Sequence, residues 1–398
     1  MRIVWLCHFT TSEIQDIIKP LHPVNPFAPW ISNTIKSFEN RDEVDLHIVS
    51  PHRFITRKKE FVLRGIHYSF YPAGMPFWGR QWPSFFRWDL FTKYSSVKNC
   101  VSKIITRVHP DVIHLQGAEN PYYSIAILQF LKKYPVLVNL QRMNVDFEYP
   151  NTLEGRFRKR VEKEILTQFN HFSIRTNIME ADLLSVNPSA VTHWVRYSIP
   201  ILEPKHVDKL YDIVFFARVS PTKGIEDLLQ AAVLLDKKLS VCIIGAVEQA
   251  YRSMLTETYG KSLDMVWLGN LPVHEQVFIE ASKAKISVLP THQDIIPGTI
   301  IESMMLGLPV VSYNVGSIPE LNLENESVLL AEKGDIECLA KHVNNLLTNP
   351  EFALSLAKQG RDTILKRVMK SNVFDQHLNS YQSVISDFSL PLISSNKR

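Results

Sequence analysis

The fold is decided by the stretch Leu289–Val311, which reads LPTHQDIIPGTIIESMMLGLPVV. An apolar segment ends at Pro290, and a polar loop follows that contains the turn signal Pro297-Gly298. The residue pattern predicts a helix that begins near Thr299 and a second apolar strand after Pro309. A strand, a loop, a helix and a further strand in this order are typical of a parallel α/β sheet.

Two carboxylates, Asp294 and Glu302, stand on either side of this turn. A loop that leads into a helix N-terminus is suited to anions, because its free N–H groups and the helix dipole point into it. Carboxylates nearby accept hydrogen bonds from sugar hydroxyls, so the pattern indicates a nucleotide-sugar site. The alternative is structural, since Thr299 to Glu302 also fits a capping box and Asp294 alone fits an ordinary loop carboxylate.

A second polar loop lies upstream in the same half of the chain. Residues 213–217 predict a buried strand, Arg218 and Lys223 follow it, and residues 225–235 predict a helix. In open α/β sheets, ligands bind outside the carboxyl ends of the strands. Because arginine can bridge two phosphate oxygens and lysine adds a mobile charge, the pair favours a phosphate site over a solvated turn.

These loops carry a resemblance to a known family. Residues 211–334 resemble the nucleotide-sugar domain of glycosyltransferase family 4 (glycosyl transferases group 1), which has the GT-B fold. The resemblance implies two Rossmann-like doubly wound domains that face a central cleft. The matching segments are Phe216-Ala217-Arg218-Val219, Lys223-Gly224, Ile243-Ile244-Gly245, Val266 to Asn270, Asp294 to Glu302, Gly307 to Val311 and Val315 to Leu321.

The resemblance implies roles at the matching positions. It assigns Asp294, Arg218 and Lys223 to the catalytic group, with Asp294 where the family usually has glutamate, and it places Ser317 where a second glycine is common. It implies a retaining transfer without a metal or a cofactor beyond the nucleotide sugar itself. The implied donor-binding residues are Arg218, Lys223, Gly298, Thr299, Glu302 and Gly269.

Length and composition bound the class of protein. The 398 residues exceed a usual single core, and 45% are hydrophobic, 21% are charged and the formal net charge is +4. A nearly balanced charge disfavours a nucleic-acid surface, and no apolar run is long enough for a transmembrane helix. Four scattered cysteines show no metal-ligand spacing and favour a reducing, cytoplasmic compartment. We expect domains at residues 1–203 and 204–370. The resemblance implies that residues 371–398 form a helix that returns to the first domain, followed by a tail.

The N-terminal half alternates strands with helices, including a helix predicted over Tyr122 to Lys133. By the resemblance, this half holds the acceptor. Gln141 stands where many relatives carry histidine, and it cannot act as a general base. The acceptor-side candidates are His8, Gln141 and Trp30. The further histidines His114, His171 and His193 are expected to be structural rather than catalytic.

An aromatic segment in this half has two interpretations. Its rings alternate with Arg80 and Arg87, a combination suited to a membrane interface or a lipid-linked acceptor. An aromatic core cluster under a long loop is an equal alternative. The residues concerned are Phe77, Trp78, Trp82, Phe85, Phe86 and Trp88.

The combined expectation is a cytoplasmic glycosyltransferase, with peripheral contact at the inner face of the plasma membrane. It would move a hexosyl group from a nucleotide diphosphate to a hydroxyl of a glycan or lipid-linked glycan in surface polysaccharide synthesis. Two alternatives stay open at this stage, namely a nucleotide-sugar epimerase of GT-B-like fold and a non-catalytic nucleotide-sugar-binding protein.

Overall fold

The computed structural model describes residues 1–75, 78–80, 82–83, 85–141, 149–196, 198–199, 201–204, 207–369 and 372–389. The chain divides into two compact units, Met1–Ile199 with Ser371–Arg398, and Pro200–Lys370. The division therefore falls between residues 199 and 200, whereas the sequence suggested 203 and 204. No helix among the described residues is long and apolar enough to cross a membrane.

The first unit is built on an eight-stranded sheet in the order β3-β4-β2-β1-β5-β6-β7-β8, parallel except for the β3–β4 pair. Its strands are β1 Arg2–Leu6, β2 Asp45–His52, β3 Lys59–Leu63, β4 Ile66–Pro72, β5 Val112–Gln116, β6 Val136–Asn139, β7 His171–Ile174 and β8 Val191–Trp194. Its helices are α1 Ser12–Ile18, α2 Pro29–Lys36, α3 Trp88–Phe91, α4 Ser95–Val108, α5 Pro121–Ser124, α6 Leu153–Gln168, α7 Asn177–Val186 and α14 Val373–Ser389.

The core of the first unit forms where α14 covers β1 and β5. The four residues Ile3 to Leu6 are fully buried, as expected for a central parallel strand. The indole N–H of Trp5 donates to Tyr381 Oη over 2.9 Å, and His114 Nδ1 lies 2.7 Å from the same oxygen. The C-terminal helix thus belongs to this unit and is tied to its sheet by buried hydrogen bonds.

The helix predicted over Tyr122 to Lys133 is wrong in its length and type. The structure has the short helix α5 and then a 3-10 helix over Ile125–Phe130. Lys132 takes a left-handed conformation with φ of 60°, and Pro135 follows shortly after. A left-handed residue ends a helix, and a proline disfavours helical geometry in the residue before it, so the segment turns into β6.

The second unit has an all-parallel sheet of six strands in the order β11-β10-β9-β12-β13-β14. Its strands are β9 Tyr211–Phe216, β10 Ser240–Ile244, β11 Asp264–Gly269, β12 Ala284–Leu289, β13 Val310–Tyr313 and β14 Leu329–Ala331. Its helices are α8 Ile225–Val233, α9 Gln249–Tyr259, α10 His274–Ser282, α11 Gly298–Met305, α12 Ile336–Thr348 and α13 Pro350–Met369.

Both sheets reverse their direction of growth next to their first strand. In the second unit the chain proceeds from β9 through β10 to β11, then returns to place β12 on the other side of β9. In the first unit the same reversal separates β1 from β5. Helices that follow the two central strands leave in opposite directions, which opens a crevice at the carboxyl edge of each sheet. Each unit therefore has one position where a ligand site is expected.

Candidate functional site

The crevice of the second unit lies between the loops that follow β9 and β12. Gly224 has φ of 73°, and a Cβ there would lie 1.8 Å from the carbonyl oxygen of Pro290. Only glycine permits this approach, so the loop that carries Arg218 and Lys223 packs directly on the loop that carries Asp294. Arg218 is exposed and forms no ion pair with any described residue, so its guanidinium is available to a ligand.

Asp294 is fixed by two neighbours at the same carboxylate oxygen. Lys223 Nζ donates to Asp294 Oδ2 over 2.5 Å, and Thr291 Oγ1 donates to it over 2.6 Å. A Cβ on Gly316 would lie 1.9 Å from the carbonyl oxygen of Asp294, so a second glycine closes against the loop. The structure therefore brings Asp294 to Lys223, one of the two cations expected at the phosphate site.

The N-terminus of α11 opens into the same crevice. Pro297 is the N-cap and supplies no side-chain hydrogen bond, and a Cβ on Gly298 would have no atom within 4 Å. The first amides of a helix have no partner within the helix. The N–H groups of Gly298 and Thr299 accordingly carry no hydrogen bond to another described residue. This is a site with positive dipole character and open space for an anion.

Glu302 lies one turn into α11 and is not a helix cap. The cap is Pro297, and Thr299 already stands inside the helix, so the capping-box alternative is wrong. The Glu302 carboxylate forms no hydrogen bond or ion pair with the rest of the described chain. Burial raises its pKa to about 7. An unpartnered, half-buried carboxylate next to an anion site is typical of a ligand-binding residue.

Gly269 marks the far side of the crevice at the end of β11. It has φ of 66° and a Cβ there would meet nothing within 4 Å, while its carbonyl accepts a 2.8 Å hydrogen bond from Gly245 N. Gly245 is close to Ala217, because a Cβ on Gly245 would lie 1.8 Å from the carbonyl oxygen of Ala217. The carboxyl ends of β9, β10 and β11 therefore meet here, with room beside Gly269.

One polar network at this edge is absent from the sequence-based expectations. His292 Nε2 lies 2.8 Å from Asp227 Oδ2, and Tyr313 Oη donates to the same oxygen over 2.7 Å. His292 N also donates to Thr222 O over 2.9 Å. These contacts bind the loop after β12 to α8 and to the loop after β9. No local sequence spacing relates the three elements, although Thr291-x-x-Asp294 is a side-chain hydrogen-bond pattern that could have been recognised.

The crevice of the first unit has different chemistry. His8 follows β1, and its Nδ1 lies 2.9 Å from Tyr122 Oη, while its ring packs on Phe27 with centroids 4.6 Å apart. Burial, with Arg53 and His52 nearby, lowers the pKa of His8 to about 3. His8 is therefore neutral near pH 7 and can exchange hydrogen bonds with an uncharged group.

The other acceptor-side candidates have structural partners. Gln141 Nε2 donates to Gln116 O over 2.8 Å, and Gln141 O accepts from Arg175 Nη2 over 2.9 Å. Trp30 packs on the core cluster beneath α2. The histidines expected to be structural have partners too. His114 is fully buried against Tyr381, and His171 Nδ1 lies 3.1 Å from His193 Nε2.

The aromatic segment is largely exposed where it is described. Trp78, Phe86 and Trp88 are at least half exposed, Phe85 is 90% exposed, and Trp82 is half-buried. Phe77 lies outside the described residues. The Phe86 and Trp88 rings stack with centroids 6.4 Å apart. These exposures contradict the core-cluster alternative for the four exposed residues, and they leave a solvent-facing aromatic surface.

Comparison with known proteins identifies relatives of both units. Residues 202–363 match the family described as glycosyl transferases group 1. The 2-deoxystreptamine N-acetyl-D-glucosaminyltransferase of Niallia circulans is 24% identical over 43% of this chain and 45% of its own length. The capsular polysaccharide biosynthesis glycosyltransferase CapM of Staphylococcus aureus is 23% identical over 47% of this chain and 50% of its own length. The chain thus spans about half the length of these curated relatives.

The fold is shared over nearly the whole chain with a solved structure. Sucrose-phosphate synthase of Thermosynechococcus elongatus superposes with a TM-score of 0.76 at 17% identity, and the match covers 97% of this chain and 100% of that one. The GT-B fold expected from the sequence, with two parallel-sheet α/β domains, is confirmed. Most of the second unit, residues 202–363, therefore matches the glycosyl transferases group 1 family.

Proposed function

We propose that this protein transfers a sugar from a nucleotide diphosphate to a hydroxyl of a glycan or lipid-linked glycan, with retention of anomeric configuration. The donor occupies the crevice of the second unit, and no metal or further cofactor takes part. The observation that carries the proposal is the meeting of two cationic side chains, a free helix N-terminus and two carboxylates at one sheet reversal.

Each of these groups binds the part of the donor that suits its charge. Arg218 and Lys223 hold the diphosphate, with the free amides of Gly298 and Thr299 as further donors. Glu302 accepts hydrogen bonds from the ribose hydroxyls. The base of the nucleotide occupies the open space beside Gly269. Any larger residue at position 269 would project its side chain into this space, which glycine leaves free.

Asp294 binds the transferred sugar. Its Oδ2 already has two donors, and its Oδ1 takes no hydrogen bond from another described residue, which leaves that oxygen for a sugar hydroxyl. As the bond to the diphosphate breaks, negative charge grows on the leaving phosphate and positive charge at the anomeric carbon. The negative charge on the phosphate is stabilised by Arg218, Lys223 and the α11 dipole. The positive charge at the anomeric carbon is stabilised by the Asp294 carboxylate.

The acceptor binds at the crevice of the first unit. The lowered pKa makes His8 a weak base, so it orients a hydroxyl by hydrogen bonding and is poorly suited to withdraw its proton. Trp30 and Gln141 contribute through packing and through the backbone near Gln116. The polysaccharide class of acceptor is supported by the similarity to CapM, a glycosyltransferase of capsular polysaccharide biosynthesis.

Membrane contact is proposed through the exposed aromatic segment. Trp78, Phe85, Phe86 and Trp88 face solvent, and aromatic side chains of this kind settle at the headgroup level of a bilayer. Trp82, whose ring centroid lies 5.9 Å from that of Phe86, would extend the same surface. Such contact would bring the protein to a lipid-linked acceptor at the cytoplasmic face of the plasma membrane.

The test is acceptor-dependent turnover. A thermal-shift screen against nucleotide sugars identifies the donor, because a ligand bound only by the folded protein raises its melting temperature. Release of nucleoside diphosphate is then followed with and without oligosaccharide or lipid-linked acceptors. Release that requires acceptor, with a new glycoside in the product, supports the transferase. Conversion of the donor to an epimer without release, or binding without any turnover, would overturn it.

A further inference from the structure

Three side chains with metal-ligating atoms converge at the amino edge of the first sheet. Asp45 and His47 are two residues apart on β2, so their side chains leave the same face of the strand. His67 on β4 is the registered partner of His47. One imidazole nitrogen from each histidine and a carboxylate oxygen of Asp45 all lie within 4.8 Å of one another.

Both histidine rings approach the same carboxylate oxygen, Asp45 Oδ1. His47 Nε2 lies 2.9 Å from this oxygen, and His67 Nε2 lies 3.6 Å from it. His47 Nε2 is buried, and its near polar neighbour is this carboxylate oxygen. A buried ring nitrogen next to a carboxylate oxygen offers a cation two ligand atoms at once.

The opposite side of the carboxylate is held in place. Arg2 Nε donates to Asp45 Oδ2 over 2.9 Å, and Arg2 Nη1 donates to Val108 O over 2.9 Å. This bond directs Oδ1 toward the two rings and leaves it free of the arginine. Orientation of a ligand by a second hydrogen bond is a regular feature of metal sites in proteins.

We propose that Asp45, His47 and His67 bind a divalent transition-metal ion, with Zn²⁺ as the representative member of the class. Two imidazole nitrogens and one carboxylate oxygen are ligands that such ions accept, whereas Mg²⁺ prefers an oxygen set. Bond lengths of about 2.0 to 2.1 Å require tetrahedral ligand atoms about 3.3 Å apart, close to the two distances at Asp45 Oδ1.

Only a small adjustment is needed to complete the site. The two rings stack with centroids 4.5 Å apart and planes 11° apart, so one ring must tilt for both nitrogens to face one ion. The side chain of His67 is 47% exposed and can make that change without disturbing the core. The fourth position faces solvent and is left to water.

The location indicates a structural role for the ion. Asp45 pairs with Arg2 at the start of β1, whereas His8 follows the opposite end of that strand. The ion would join β2 to β4 at the amino edge, away from the carboxyl edge that holds His8. The ion therefore takes no part in the transfer reaction, and its binding can be tested independently of the proposed function.

The test measures zinc binding by the full-length protein. ZnCl₂ is titrated against wild type, His47→Ala and His67→Ala in competition with a chromophoric chelator, with MgCl₂ as the control ion. Cys338→Ser serves as the matched variant, because Cys338 Sγ lies 3.4 Å from His342 Nε2 and is a competing soft pair.

We expect each histidine variant to lose at least about tenfold in affinity at one site, while Cys338→Ser keeps that site. Zinc, and not magnesium, should raise the melting temperature of wild type and leave that of His67→Ala unchanged. His67 is half exposed, so its variant is expected to fold, and a cooperative melting curve verifies this. Identical zinc isotherms for wild type and both histidine variants would overturn the proposal, as would binding lost only in Cys338→Ser.

Discussion

The two carboxyl edges have the same topology and opposite chemistry. In the second unit the crevice holds Arg218, Lys223 and a free helix N-terminus, with Glu302 unpartnered within the described chain. In the first unit the crevice holds His8 in contact with Tyr122 and Phe27, and the pKa of this histidine is lowered to about 3. The second edge combines cations with free backbone amides, whereas the histidine at the first edge is uncharged near pH 7.

Under the proposed function, this difference lets one fold bind two unlike substrates. The sheet reversal provides the place in both units, while the loop residues decide which ligand is favoured there. A diphosphate needs cations and N–H donors, and the second crevice combines Arg218 and Lys223 with the free amides at the start of α11. A glycan hydroxyl needs neutral hydrogen-bonding groups and aromatic surface, which the first supplies.

The largest expected effect comes from Asp294. Asp294→Asn keeps the size of the side chain and the bond to Thr291, but it removes the charge that would oppose the anomeric cation. We expect kcat to fall by roughly 10² to 10³, with a much smaller change in the KM for the donor. Steady-state kinetics with saturating acceptor measures this split. Near-normal kcat would remove Asp294 from the reacting centre.

The cations of the same crevice come next. Arg218→Ala and Lys223→Ala should each weaken nucleoside diphosphate binding by about 1.5 to 3 kcal/mol, because each removes a charge-assisted contact. Calorimetric titration is the measurement, and Lys237→Ala, which alters an exposed lysine of the same unit, is the matched control. Equal affinity in all four proteins would show that the phosphate lies elsewhere.

Glu302 should make donor binding depend on pH. Its pKa in the folded protein is raised to about 7, so the ionised form that accepts two ribose hydroxyls becomes dominant as pH rises through 7. We expect donor affinity to increase several-fold between about pH 6 and pH 8 in wild type, and to stay nearly flat in Glu302→Gln. A parallel pH dependence in both proteins would contradict the assignment.

The same shift has a consequence for stability. The folded pKa of Glu302 lies above its unfolded value of 4.5, so its contribution to stability is fully present below pH 4.5 and is lost as pH rises through 7. Glu302→Gln should therefore gain melting temperature relative to wild type at pH 8 more than at pH 5. A difference that does not vary with pH would show that the carboxylate is not strained by burial.

The smallest expected effect concerns the first unit. Replacing Trp78 and Phe85 by serine should reduce co-sedimentation with anionic liposomes several-fold, since both side chains are exposed and face solvent. The melting temperature should change little. Phe388→Ser, another exposed aromatic of this unit, is the matched control. Unchanged sedimentation of the double variant would refute membrane contact through this segment.

The sequence could predict those features of the fold that depend on residues close together in the chain. The strands around Arg218 and Asp294 follow from apolar runs and turn residues, and the order of these elements indicates a doubly wound sheet. The helix after Pro121 was overestimated, because a left-handed residue at Lys132 depends on how the segment packs. Periodicity does not encode that packing.

Long-range side-chain contacts were outside the reach of the sequence. The Lys223–Asp294 bond joins residues 71 positions apart, and Asp227 meets Tyr313 over 86 positions. The zinc-ligand set likewise depends on the register of β2 and β4. Spacing along the chain predicts which residues follow a strand, but only the fold determines which of them touch.

The most direct test of the central claim is the position of a nucleoside diphosphate in a crystal structure of the complex, with the nucleotide chosen by thermal-shift screening. We expect diphosphate oxygens within hydrogen-bond distance of Arg218 and Lys223 and of the amides of Gly298 and Thr299, with the ribose at Glu302. A diphosphate bound at the crevice of His8, or bound away from both cations of the second unit, would contradict it.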